Sequence, residues 1–263
     1  MNILVERFPE ILRSAAAYGL PTEKKRAILR EYLQMMFLDA FYRRSQSAHA
    51  AFVGGTALRI IHNLNRFSED LDFDRIDITT EQFIKLAQDA TNDLSQSRIV
   101  LEIYKNKTKE NTFLEIRYPS ILFDLGVSAN QSEKLMIKID NAPAWRSEKR
   151  ETVLVSRYDF MQYIVTIPLS QILVQKMAAF VGRKQTQSRD MYDILWICAR
   201  GIKPDKVFMD RNYPGDLTQA VIKNGKEKLT NLKRHMRKIE PYLFDASKAK
   251  LLSSFVSIVS GNR

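Results

Sequence analysis

Apolar residues recur at helical spacing over residues 3–18 and again over 22–44, with Gly19-Leu20-Pro21-Thr22 between the two stretches. The Thr22 hydroxyl suits the N-cap of the second helix. The period then changes. Ala51-Phe52-Val53 is a short apolar run closed by Gly54-Gly55, residues 56–64 return to helical spacing, and residues 71–74 read as extended. A capped amphipathic helix is expected from Thr79-Thr80-Glu81 to Ser95. Strands follow near 99–104, 112–118, 121–127 and 134–140, with a further pair at 152–156 and 162–167. Beyond Pro168 the pattern is almost wholly helical, at 169–182, 189–200, 216–239 and 246–259. Short polar connections between strands predict a mixed or antiparallel sheet and therefore an α+β fold. A sheet domain with its leading helices is expected over 1–168 and a C-terminal helical bundle over 169–263.

Composition adds a core and a field. Hydrophobic residues make up 45% of the 263 positions and charged residues 27%, while glycine and proline number only 9 and 8, as in a globular chain. Lysine and arginine exceed the acids by 41 to 30, a net charge of +11, which favours polyanionic partners or serves as a solubility surface. The single cysteine, Cys198, lies in the apolar stretch DILWICA, so no internal disulfide exists and a buried thiol in a reducing cytoplasm is expected. Glu6, Arg7, Glu10 and Arg13 interrupt the N-terminal apolar residues, unlike a signal peptide, and no apolar run approaches the length of a membrane span. There is no internal repeat, no cysteine and histidine set for zinc and no Gly-x-Ser-x-Gly elbow. His49, His62 and His235 stand in unrelated contexts and read as surface or internally satisfied side chains.

The chemistry concentrates in FVGGTALRIIHNLNRFSEDLDFDR, residues 52–75. Gly54 and Gly55 end a strand where the chain turns tightly, and backbone amides without side chains approach a phosphate closely. Thr56 offers a hydroxyl at the positive end of the next helix. Asp70 and Asp72 lie two apart in an extended segment, so both carboxylates share one face while Leu71 and Phe73 point to the core; Asp74 continues that face. Such a pair attracts a hard cation, and magnesium takes carboxylate, water and phosphate oxygens. The structural alternative is the solvent face of an edge strand.

GGTALR followed by RFSEDLDF resembles the signature of the AbiEii/AbiGii toxin group, a branch of the polymerase-beta-like nucleotidyltransferases, with Gly55-Thr56 where that superfamily usually has Gly-Ser. The resemblance fades after about residue 200. It implies a sheet domain and a helical domain with the reaction centre in the cleft between them, and a third carboxylate from a neighbouring strand. Asp140 in LMIKIDNAP is the candidate, with Asp124 in ILFDLGV as its competitor. LVQKMAAFVGRKQTQSRDMYDIL resembles the group's later motif, a helix lysine followed by arginines and Arg-Asp-x-x-Asp. The implied catalytic set is Asp70, Asp72, Asp140 and Lys176, with the three aspartates as metal ligands. Gly54, Gly55, Thr56, Arg59, Ser68, Lys176, Arg183, Asp190 and Asp193 are the implied nucleotide-binding set; a structural ion-pair network is the alternative for the two aspartates, Asp190 and Asp193.

What the resemblance implies about function is a toxin restrained by an antitoxin. It would move a nucleoside monophosphate from a nucleoside triphosphate to an acceptor, with one or two Mg2+ ions and the 3′ end of transfer RNA as the expected target. A catalytically silent nucleotide- or RNA-binding module and a protein acceptor remain alternatives. Finally, residues 223–238 read KNGKEKLTNLKRHMRK. Lys226, Lys233 and Arg237 recur at helical spacing, with Lys223 a turn earlier and Arg234 and Lys238 on the adjoining stripe, opposite Leu229, Leu232 and Met236. This face is either a solvated helix surface or a track for an RNA backbone.

Overall fold

The computed structural model describes residues 3–96, 98–108, 112–185 and 187–261. They form two compact units whose segments interleave along the chain. The first comprises residues 1–61, 68–144 and 152–166, and the second 62–67, 145–151 and 167–263.

In the first unit, α1 (Ile3–Ala17) buries Leu4, Phe8, Ile11 and Ala15 along one stripe. α2 (Lys25–Tyr42) is buried over most of its circumference. Thr22 does not cap α2. A turn in which the Lys24 amide donates to the Pro21 carbonyl at 3.0 Å delays the helix, and Lys24 becomes an N-cap without a side-chain bond. Next come β1 (Ala50–Val53), α3 (Gly54–Ile60) and β2 (Leu71–Arg75), then α4 (Thr80–Gln96). α4 opens on a capping box: the Gln82 amide donates to the Thr79 hydroxyl at 3.2 Å and the Thr79 amide to Gln82 Oε1 at 2.8 Å.

Strands β3 (Glu102–Lys107), β4 (Thr112–Tyr118) and β5 (Leu135–Pro143) complete a five-stranded sheet of order β1-β2-β5-β4-β3. It is mixed. β2 and β5 run parallel, which requires the long crossover that α4, β3 and β4 supply, and every other pair is antiparallel. The alternation Leu135, Ile137, Ile139 is buried and faces the core. Phe73 of β2 is the hub of an aromatic cluster, with ring centroids 5.0 Å from Phe41, 5.4 Å from Phe52 and 5.4 Å from Phe83. Burial of such a ring contributes about 2 kcal/mol.

The expected strand over 121–127 is instead the short helix α5 (Ile121–Asp124). Ile121 and Leu122 are both buried, which an alternating strand does not allow. Gly126, at φ +62, closes the helix with a Schellman pattern in which the Val127 amide donates to the Leu122 carbonyl at 2.8 Å. β6 (Glu151–Arg157) and β7 (Phe160–Thr166) form a separate ribbon, turned at Tyr158-Asp159 where both φ angles are positive, 53° and 67°.

The second unit is helical: α6 (Leu169–Gly182), α7 (Ser188–Cys198), α8 (Lys206–Asn212), α9 (Leu217–Leu229), α10 (Leu232–Ile239) and α11 (Phe255–Gly261). The single helix expected over 216–239 breaks at Thr230-Asn231. The Thr230 hydroxyl donates to the Glu227 carbonyl at 2.7 Å, and Asn231 leaves helical geometry at φ −113 and ψ 33. Residues 246–254 are 3-10 helix ahead of α11. Gly225 of α9 lets α11 approach closely, since a Cβ there would lie 2.6 Å from the Phe255 ring. Residues 62–67 are sewn into this unit by an Arg66–Leu243 bridge and by the Phe67 amide donating to the Tyr242 carbonyl at 2.8 Å. No described helix is long and apolar enough to cross a membrane.

Candidate active site

The centre of the first unit's site is the path from β1 through Gly54 into α3 and back along β2. Gly54 has φ +78, and a Cβ at this position would lie 2.2 Å from Asp72 Oδ2. Only glycine permits both the backbone conformation and this approach of the Asp72 carboxylate. Thr56 is fully buried, and its hydroxyl, expected to face a phosphate, donates instead to the Asp70 carbonyl. Gln34 Nε2 donates to the two preceding carbonyls, Ser68 at 3.3 Å and Glu69 at 2.9 Å. Arg30 pairs with the Glu69 side chain at 2.9 Å. Three consecutive carbonyls leading into β2 are thus held from outside the strand.

Within the sheet, Asp72 is flanked by Val53 on one side and by Asp140 on the other. Neighbouring strands lie about 4.8 Å apart, so these carboxylates stand side by side at the strand level. Asp70 immediately precedes β2, and Asp74, 4% exposed, is the buried member of the series. Asp124 sits exposed on α5, away from the β2–β5 pairing. Asp140 Oδ2 accepts from Lys138 at 2.6 Å and Oδ1 from the Asn141 amide at 3.1 Å. Among the described residues no three histidine, cysteine or acidic side chains converge as a metal-holding group. The expected three-aspartate cage is therefore not assembled here; Lys138 holds the oxygen that Asp140 would offer. Asp70 and Asp72 still fit a hard cation in donor chemistry, since magnesium completes its shell with water and phosphate oxygens.

Arg59 lies in a buried network of its own. Its guanidinium donates to both Glu31 oxygens, at 2.8 and 3.3 Å, and Arg157 reaches the same carboxylate at 3.0 Å. Tyr158 donates to it at 3.3 Å, and burial, followed by the Glu31 charge, raises the Tyr158 phenol far above its ordinary pKa.

In the second unit the later motif folds into an ion-pair chain. Lys176 Nζ lies 3.2 Å from Asp190 and 2.9 Å from Asp193, and Arg183 donates to Asp190 at 2.6 Å. Arg66 grips Asp193 with two bonds of 2.7 Å, both side chains being almost wholly buried. Burial opposes both charges, but Asp193 and then Asp190 raise Lys176 above the usual lysine value, while Arg66 and then Lys176 hold Asp193 below the usual carboxylate range. Lys176, read from sequence as a phosphate ligand, thus has its ammonium engaged by two carboxylates. Arg183 is half exposed. Sequence reading passed over Arg66, Gln34, Glu31 and Arg157. The available signal was a polar residue within an apolar helical pattern, as at Glu31 and Gln34 in α2.

Two solved structures are similar over most of the chain. JHP933 from Helicobacter pylori is 16% identical, with 90% of this chain and 91% of that one covered and a TM-score of 0.57. A second Helicobacter pylori structure, described as a nucleotidyltransferase, is also 16% identical, covering 90% and 94% with a TM-score of 0.58. At such identity the likeness shows the fold alone, an α+β architecture that this chain shares with both structures. The family described as nucleotidyl transferase AbiEii toxin, type IV TA system, matches residues 36–246. The chain belongs to this AbiEii nucleotidyltransferase toxin family. No curated protein matches it in sequence.

Proposed function

We propose that the chain transfers a nucleoside monophosphate from a nucleoside triphosphate to the 3′ end of RNA, with transfer RNA as acceptor, as a toxin restrained by an antitoxin. The supporting observation is Asp72 beside Asp140 on paired parallel strands, its carboxylate against the Gly54 turn that opens α3. Asp70 and Asp72 would hold Mg2+, one or two ions, which when bound neutralises phosphate charge and acidifies an acceptor hydroxyl. Gly54, half-buried, and Gly55 open α3, and an anionic phosphate is favoured at such a helix start. Thr56 and Gln34 fix the segment that carries both aspartates, so the carboxylates need little reorganisation when substrate arrives. Asp140 would accept the proton of the acceptor hydroxyl once Lys138 releases its Oδ2. Family membership supports the transferase class and the antitoxin partner.

The Lys138–Asp140 ion pair favours a second reading, in which the chain binds nucleotide or RNA without turnover. Incubation with each labelled nucleoside triphosphate, Mg2+ and total RNA separates the two. Label is expected in RNA, to be lost with EDTA and in Asp72→Asn at unchanged circular dichroism, because that change removes charge at nearly constant volume. Label in protein would redirect the acceptor, and label nowhere, with nucleotide still bound, would establish the second reading.

A further inference from the structure

The break at Thr230-Asn231 creates a feature that a continuous helix would lack. At the α9–α10 junction lies a surface concavity of about 740 Å³ whose lining includes Thr230, Asn231 and the four cations Lys233, Arg234, Arg237 and Lys238, with no acidic side chain. All four cations are exposed. They form two adjoining rows, 233/237 and 234/238, directly opposite the buried row of His235 and Ile239. Among the described residues none of the four takes part in a salt bridge; the neighbouring acid Glu227 is paired with Lys228 at 2.9 Å.

This arrangement is costly for the free protein. Like charges four apart on a helix repel, and Lys233 and Arg234 occupy the first turn, the end at which the helix macrodipole disfavours cations. The buried imidazole of His235 senses the same field: burial, then Lys238, Arg234 and Lys228, lower its proton affinity. Concentrated, unneutralised positive charge around a concavity with hydroxyl and amide groups suits a chain of phosphates. The absence of an aromatic lining residue points to backbone contact without base stacking.

We infer that the α9–α10 concavity is a binding site for the phosphate backbone of an RNA strand, centred on Lys233, Arg234, Arg237 and Lys238. This places the contact on α10 and its junction, leaving Lys226 on the separate helix α9 outside it. The inference rests on the reading that the acceptor is RNA, and it names the residues of the helical unit that hold that acceptor's backbone. Recognition is sequence-independent and electrostatic, so single-stranded affinity falls with salt by about 0.7 logarithmic units per decade for each phosphate neutralised.

The experiment measures binding of a labelled single-stranded RNA to the full chain over a salt series, without nucleotide. The partners compared are wild type, a variant with Lys233, Arg234, Arg237 and Lys238 all changed to Gln, and a charge-matched control with Lys85, Lys105, Lys134 and Lys206 changed to Gln. The first variant should lose roughly tenfold or more of its affinity at 0.1 M salt and flatten the logarithmic slope by up to about three, while the control follows wild type. Equal losses in both variants would show that only net charge matters and overturn the site. Superimposable curves for all three would overturn it as well, and tighter capture of polyglutamate than of RNA would assign the concavity to an acidic protein. Thermal melts check folding; if the fourfold variant is unstable, the pairs 233/237 and 234/238 are neutralised separately. Asp72→Asn should bind RNA like wild type while losing transfer; absence of transfer by the wild type with intact binding counts against the transferase reading, and transfer with unchanged binding in the α10 variant counts against this site alone.

Discussion

At position 54 two demands coincide on one residue: a left-handed backbone at φ +78 and an aspartate oxygen where a Cβ would stand. Gly54→Ala is expected to lower the melting temperature by more than the same change at Gly126, whose φ is also positive but whose surroundings are open. The Gly126 variant should cost about 1–2 kcal/mol, the left-handed penalty alone. The excess at Gly54, together with loss of nucleotide transfer, reports displacement of Asp72; equal melting shifts would refute the close approach. His62 provides a second residue-scale test. Burial, and then Arg200, push its imidazole down to about 4, and Nε2 is buried with no hydrogen-bond partner among the described residues. The unfolded chain takes up this proton near 6.5 while the folded chain resists it until about 4. Stability is therefore lost as pH falls through that interval, by up to about 3 kcal/mol. In His62→Leu the melting curve measured against pH should flatten there, leaving the smaller contribution of His235, which is shifted in the same direction.

Between elements, a buried tie in the helical unit is Asp193 of α7, shared by Lys176 of α6 and by Arg66 in the segment between α3 and β2. Asp193→Asn leaves the buried Arg66 without its carboxylate and Lys176 with Asp190 alone, and is expected to destabilise by about 3–5 kcal/mol. The sign with pH follows from the shifts. Asp193 is depressed, so its contribution is present above the unfolded carboxylate value near 3.9 and is lost as pH falls below it. Lys176 is raised, so its contribution is present below 10.5 and lost above. Denaturant midpoints of wild type and variant should differ by a constant amount between about pH 5 and 9 and converge at acid pH. A difference unchanged below pH 3 would count against the ion pair as its origin. Nothing in the spacing of α6 and α7 announced Arg66, because its partner lies 127 residues away.

For the whole molecule, the interleaving of the two units has a consequence for truncation. Residues 62–67 and 145–151 belong to the helical unit, where Arg66 meets Asp193, the Lys149 amide donates to Gln171 Oε1 at 2.9 Å and the Arg146 amide to Asn212 Oδ1 at 2.9 Å. A fragment of residues 1–168 leaves Arg66 without its carboxylate and these amides without their acceptors. It should be aggregated or partly unfolded by size exclusion and circular dichroism, and residues 169–263 alone should be less stable than the same helices in the full chain. A monomeric, cooperatively melting 1–168 fragment would show that the sheet unit tolerates the loss.

Local patterns carried much of this protein in the sequence itself. The period-two burial of Leu71 and Phe73 around Asp72, the alternation ending in Asp140 and the Thr79 cap depend on residues within a few positions of one another. The GGTALR and RFSEDLDF segments likewise pointed to the AbiEii family, to which the chain belongs. Tertiary structure decided what depends on distant partners. It set Asp140, in place of Asp124, beside Asp72 and turned 121–127 into a helix because both Ile121 and Leu122 found core. It engaged the Thr56 hydroxyl, Arg59 and Lys176 in internal bonds. Periodicity states which face of a segment is buried; it cannot state which polar group waits across the interior, because that pairing is fixed by packing between segments scores of residues apart.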